Sequence, residues 1–116
     1  MKRFALKSLS LMLCASCTCT TPEVQVRFPP AGVPLNEYFT LDVSTDPARA
    51  ALVSVDADMP AHKHGMVSQP IVHALEPGHW RVDGMLFHMP GAWEVYVMVS
   101  ACDTSFRLVF PVEVEP

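Results

Sequence analysis

The chain has 116 residues, half of them hydrophobic and 17% charged, which is enough for one compact domain and too little for two. Eight Lys plus Arg stand against twelve Asp plus Glu, and the formal net charge of -4 argues against a basic nucleic-acid-binding surface. Eleven prolines against five glycines argue against a helical bundle, because proline interrupts helix interiors. Cys14, Cys17 and Cys19 crowd the N-terminus and only Cys102 lies in the body, so the cysteines make no disulfide framework.

Met1, Lys2 and Arg3, with Lys7 close behind, form a positive opening. Leu6, Leu9, Leu11, Met12 and Leu13 follow as a short apolar run, and Ala15 and Ser16 supply small residues before a cut. Residues 1–16 are therefore expected to be a secretory signal, too short to remain as a spanning helix. The stretch Cys14-Ala15-Ser16-Cys17 resembles a bacterial lipoprotein signal, in which small residues precede a cysteine that becomes acylated. Cys17 is the expected acylation point, although the usual leucine three positions earlier is here Cys14. On this reading residues 17–22 are a lipidated tether and residues 23–116 the folded domain. The protein is then expected in the cell envelope, held to the membrane by its lipid and facing the periplasm or exterior. A plain secretory signal that leaves Cys17 as a reactive thiol is the rival. A redox pair made by Cys14 and Cys17 is set aside, because such a pair needs a helix N-terminus in a folded domain.

From Glu23 onward apolar alternation dominates. Val24, Val26 and Phe28 alternate with polar residues, as do Phe39, Leu41 and Val43, and then Ala51, Val53 and Val55. Trp80, Val82 and Leu86 share a parity, followed by Trp93, Val95, Val97 and Val99. Phe106, Leu108, Phe110, Val112 and Val114 close the series. Period two places each set on one face of a strand. Pro29-Pro30, Asp46-Pro47, Pro77-Gly78 and Pro90-Gly91 punctuate the strands. The pattern predicts an all-β chain, a single immunoglobulin-like antiparallel β-sandwich of about seven strands. Trp80 and Trp93 are expected to be core residues joining the two sheets. Cys102, within Ser100 to Thr104, is expected in a hairpin connection as a free or partly buried thiol.

Two stretches break the alternation with an unusual alphabet. Met59-Pro60-Ala61-His62-Lys63-His64-Gly65-Met66 is one, and Phe87-His88-Met89-Pro90-Gly91 is the other. His62, His64 and Met66 are spaced by two, so an extended segment points all three the same way. Imidazole with thioether suits soft or borderline metals, copper above all, and Cu(I) in particular. The candidate ligands are His62, His64, Met66 and His88, with Met59 or Met89 completing the set. A structural zinc site would more usually recruit Cys, or His with carboxylates, an option that Asp56 and Asp58 keep open. The plainer reading treats the methionines as core fillers and His62 or His88 as partners of nearby carbonyls. His73 and His79 stand in ordinary contexts and read as surface or structural residues.

The order Met59-Pro60, His62, His64-Gly65-Met66, Pro70, Gly78, Trp80, Val82, Gly84, then Phe87-His88-Met89-Pro90-Gly91 with Trp93-Glu94, resembles the YtkA-like/FixH-like domain family. The resemblance runs from about Leu52 to Val99. It implies a small extracytoplasmic β-sandwich, commonly on lipoproteins or membrane-anchored proteins. It also implies an accessory role in copper handling or cytochrome oxidase assembly, with a copper-receiving envelope protein or an oxidase assembly factor as partner. The chain departs from the FixH kind toward the lipoprotein form.

Other chemistries have no residues to carry them. The serines sit in no nucleophile elbow, no glycine-rich phosphate loop is present, and the carboxylates are scattered along strand edges. The expectation is a binding protein and not an enzyme. The alternative, from a different class, is a metal-free structural or interaction module that docks an envelope protein complex.

Overall fold

A computed structural model of the chain describes residues 20–116. The expected signal, with Cys14, Cys17 and Cys19, lies outside the described residues. Eight strands follow one another: β1 (Glu23–Arg27), β2 (Tyr38–Asp46), β3 (Ala51–Met59), β4 (His64–Gly65), β5 (Ile71–Glu76), β6 (His79–Leu86), β7 (Gly91–Ala101) and β8 (Thr104–Val114). They form two four-stranded sheets, ordered β1-β2-β6-β5 and β4-β3-β7-β8, with antiparallel pairing throughout. The expected sandwich is therefore present. Seven of the strands have five residues or more, and the eighth, β4, has two.

The inner faces meet in one core. Leu41, Val43, Val82 and Met85 come from the first sheet and Val55, Trp93, Val95, Val97 and Val99 from the second. Burying each of these larger side chains contributes about 1.5–3 kcal/mol. Phe87 stacks on Trp93 with ring centroids 4.5 Å apart, and Phe39 meets Phe87 edge-on at 5.2 Å.

Two bulges correct the simple parity. The β3–β7 register shifts between Leu52 and Ser54, so Leu52, Val55, Ala57 and Met59 face inward while Val53 is exposed. The β2–β6 register shifts between Phe39 and Leu41, opposite Gly84, which has φ +88°. Val82 and Met85 are consequently buried while Leu86 is only half-buried. One extra residue in a strand sends the following side chains to the opposite face. Trp80 also departs from expectation, being half-buried against the core, with its indole nitrogen donating to Thr45 Oγ1 at 3.3 Å.

The pairing gives the sandwich two poles. Glu23 opposite Asp46 and Ser44 opposite His79 mark the pole where the chain enters β1. Tyr38 opposite Leu86, Met59 opposite His64 and Gly91 opposite Val114 mark the far pole. Cys102 and Asp103, at φ 53° and 57°, make the two-residue turn between β7 and β8 at the entry pole. Two positive φ values in a two-residue loop match the twist of the flanking strands. Cys102 is free and exposed there, as its expected hairpin position allows. Strand β8 ends its sheet, with Pro111 on this outer edge.

Candidate metal centre

Both unusual stretches lie at the far pole. After β3 the chain turns through Pro60 to Lys63, with the His62 amide donating to the Met59 carbonyl at 3.0 Å and Lys63 at φ 55°. It returns as β4, pairing Gly65 with Asp58 and His64 with Met59. The Met66 amide reaches the Ala57 carbonyl at 3.2 Å and extends the ladder. Register therefore puts His64 on the face of Met59, and period two adds Met66 to that face. Met59 is buried at 1% exposure, Met66 is half-buried against the core, and His62 and His64 are exposed.

The second stretch links β6 to β7 across the same pole. Phe87 is buried and accepts a 2.9 Å hydrogen bond from the Asn36 amide. Trp93 donates its indole hydrogen to the Met89 carbonyl at 2.9 Å. The His88 ring meets Trp93 edge-on at 5.7 Å and His64 edge-on at 6.4 Å. His64 in turn lies 6.4 Å from His62, with the rings tilted by 26°. Nδ1 of His88 is buried and has no hydrogen-bond partner among the described residues. Met89 is half-buried, and a Cβ at Gly91 would sit 3.0 Å from the terminal methyl of Met59. All six candidate residues thus gather at one pole. Among the described residues, no group of three or more His, Cys, Asp or Glu is placed to hold a metal ion.

The carboxylates nearby are engaged elsewhere. Asp56 accepts from the Ala57 amide at 2.8 Å. On the outer face of the second sheet, Tyr96 Oη lies 2.7 Å from Asp58 Oδ1 and 2.9 Å from Glu94 Oε1. The hydrogen bond to Asp58, then desolvation and the bond to Glu94, push the Tyr96 phenol well above its ordinary pKa. Arg107 lies 4.0 Å over the Tyr96 ring, a cation–π contact. Nothing local in the sequence marks this cluster, since the β3–β7–β8 register brings Asp58 and Arg107 to Tyr96 and Glu94.

His73 and His79 sit on the outer face of the first sheet, far from the tip. His79 Nε2 is 2.6 Å from Asp42 Oδ1, and Arg27 also holds Asp42 through Nε at 3.0 Å. His73 Nε2 is 3.1 Å from Asp83 Oδ2, which Arg81 Nε also reaches, while Thr40 donates to Asp83 Oδ1. Desolvation acts to raise the Asp42 pKa, but hydrogen bonds from Arg27 and His79 outweigh it and hold the carboxyl below its ordinary value. Both histidines are partners of carboxylates, as their ordinary contexts suggested.

The family model for YtkA-like proteins matches residues 20–98. The chain belongs to the YtkA-like family. The match begins well before Leu52, where the motif resemblance starts, and takes in β1 and β2 of the YtkA-like domain. It stops at Met98 within β7, so β8 completes the second sheet beyond the matched region. No curated protein and no solved structure matches the chain.

Proposed function

We propose that this YtkA-like protein binds copper at the far pole of its sandwich and serves as a copper carrier or delivery factor in the cell envelope. The observation that carries the reading is the pair His64 and His88. Their rings meet edge-on from two separate segments, and the buried Nδ1 of His88 has no hydrogen-bond partner among the described residues. A buried polar atom without a partner costs about 1–3 kcal/mol, which a ligand or ion can recover. Two metal–imidazole bonds of about 2.0 Å each would hold the rings at about this separation or somewhat closer. Met66 and Met89 are half-buried on the same two stretches, and with the buried Met59 they would supply the thioethers. The mixed nitrogen and sulfur set favours Cu(I), which prefers soft donors. A cysteine-free set also suits an oxidising compartment, where thiols pair or oxidise. In this reading Cys17 carries the lipid that holds the domain to the membrane, and the domain passes its cargo to an envelope protein or oxidase assembly factor.

The test is competition for Cu(I) between the purified protein and a chromogenic chelator. His64→Ala and His88→Ala should each weaken binding at least tenfold, whereas His73→Ala and His79→Ala should leave it unchanged. Equal losses from all four substitutions would point to loose surface binding. The metal-free interaction module would then be the better reading, favoured by the lack of a three-residue His, Cys, Asp or Glu cluster among the described residues.

A further inference from the structure

Beside the histidine pair runs a cleft of about 390 Å³, between the Pro60–Ala61 turn and the far-pole ends of β7 and β8. Pro60, Ala61, Ala92 and Pro111 give it apolar walls, and Trp93 and Val112 line it from the core side. Register sets Ala92 opposite Glu113 and Glu94 opposite Pro111. Carboxylates and small apolar residues therefore alternate diagonally across one patch, and no Lys or Arg is among the lining residues. Glu94 accepts from Tyr96 Oη through Oε1 at 2.9 Å, so it is its Oε2, with the Glu113 carboxylate, that a cation between the two strands would meet. Trp93 is shared: it borders the cleft and its ring meets His88 at 5.7 Å. Trp93 is thus the lining residue that also contacts His88.

We infer that this cleft docks a segment of another protein that carries an arginine or lysine flanked by apolar side chains. The cation lies between Glu94 and Glu113, and the apolar neighbours rest on Pro60, Ala61 and Pro111. That the docked protein exchanges copper rests on the proposed function; the docking itself needs no metal. The charge of the described residues favours such a partner, since residues 20–116 carry five basic side chains against twelve acidic ones. Electrostatic complementarity of this kind sets the rate and selectivity of encounter more than its strength.

The experiment is an amide-resolved NMR titration of the metal-free protein with a short blocked peptide of alternating leucine and arginine. Its leucine–glutamate counterpart is the control. The leucine–arginine peptide should give saturable shifts centred on Ala61, Ala92, Glu94 and Glu113. Glu113→Gln, at an exposed position, should weaken the binding at least fivefold, and Glu94→Gln with Glu113→Gln at least tenfold. His64→Ala should leave it unchanged. The docking inference is overturned if the shifts do not saturate, if the leucine–glutamate peptide binds equally well, or if Glu113→Gln has no effect. Copper titration of the same variants keeps the two readings apart, because Glu113→Gln should leave copper affinity intact.

Discussion

The indole nitrogen of Trp93 donates a 2.9 Å hydrogen bond to the Met89 carbonyl, so one residue both fills the core and holds the segment that carries His88. Trp93→Ala should destabilise the domain by about 3–5 kcal/mol, as expected for a large aromatic removed from a packed interior. Trp93→Phe should retain most of the stacking on Phe87 and lose the hydrogen bond, a cost of about 1–2 kcal/mol. Denaturant unfolding measures both. A near-neutral Trp93→Ala would mean that the ring does not support the core.

Gly91 has φ +124°, and a side chain there would meet the Met59 methyl at 3.0 Å. Gly91→Ala should therefore cost about 1–3 kcal/mol, combining backbone strain with crowding. Met59→Ala in the same chain should relieve the crowding but not the strain. The double variant should consequently fall short of the sum of the two single losses in thermal unfolding.

Acid should weaken the fold through Asp42. Its carboxyl titrates below the ordinary value of 3.8 in the folded chain, so the unfolded chain binds the proton more readily. That contribution is complete above the unfolded value and is lost as pH falls through the folded one. Asp42→Asn should flatten the decline in stability below about pH 4. The group is 37% exposed, so its effect at neutral pH should stay below about 1 kcal/mol. An unchanged acid limb in pH-dependent unfolding would count against this assignment.

Copper binding at the tip should fall as pH drops through the histidine range, because protonated imidazole cannot coordinate. Cu(I) should outcompete Zn(II), since thioethers are soft donors. Met66→Leu tests that directly: it conserves volume but removes the sulfur, and should narrow the preference for Cu(I). A preference unaltered in Met66→Leu would exclude this thioether from the site.

If Cys17 carries the lipid, Cys17→Ser should leave a soluble or unprocessed protein, because the acyl chains would then supply the affinity for the bilayer. Mass spectrometry of the native protein is the direct check. An unmodified Cys17 would exclude the anchor.

Fold class was readable because period-two alternation is a local signal, and most strands carry it, for example Trp93 to Val99. Strand β5 was not readable. Ile71, Val72, Ala74 and Leu75 show no alternation, and this edge strand leaves Ile71 and Leu75 exposed. The parity errors at Val53 and Leu86 arise from bulges, whose phase shift depends on the neighbouring strand and not on local sequence. The two histidine-rich stretches stood out by composition alone. Their meeting at one pole depends on β3 and β6 running to the same end of different sheets, a property of topology. The Tyr96, Asp58 and Glu94 cluster had no sequence signature for the same reason.

Pro111 lies on the outer edge strand β8, where an eleven-residue strand would otherwise offer its backbone to any extended chain. Proline has no amide hydrogen to donate, and Arg107 adds a charge on the same strand. Removal of this block by Pro111→Val would turn β8 into a continuous template. Such a variant would fold as before yet add strand to strand between molecules, so that at high concentration it would grow into fibrils.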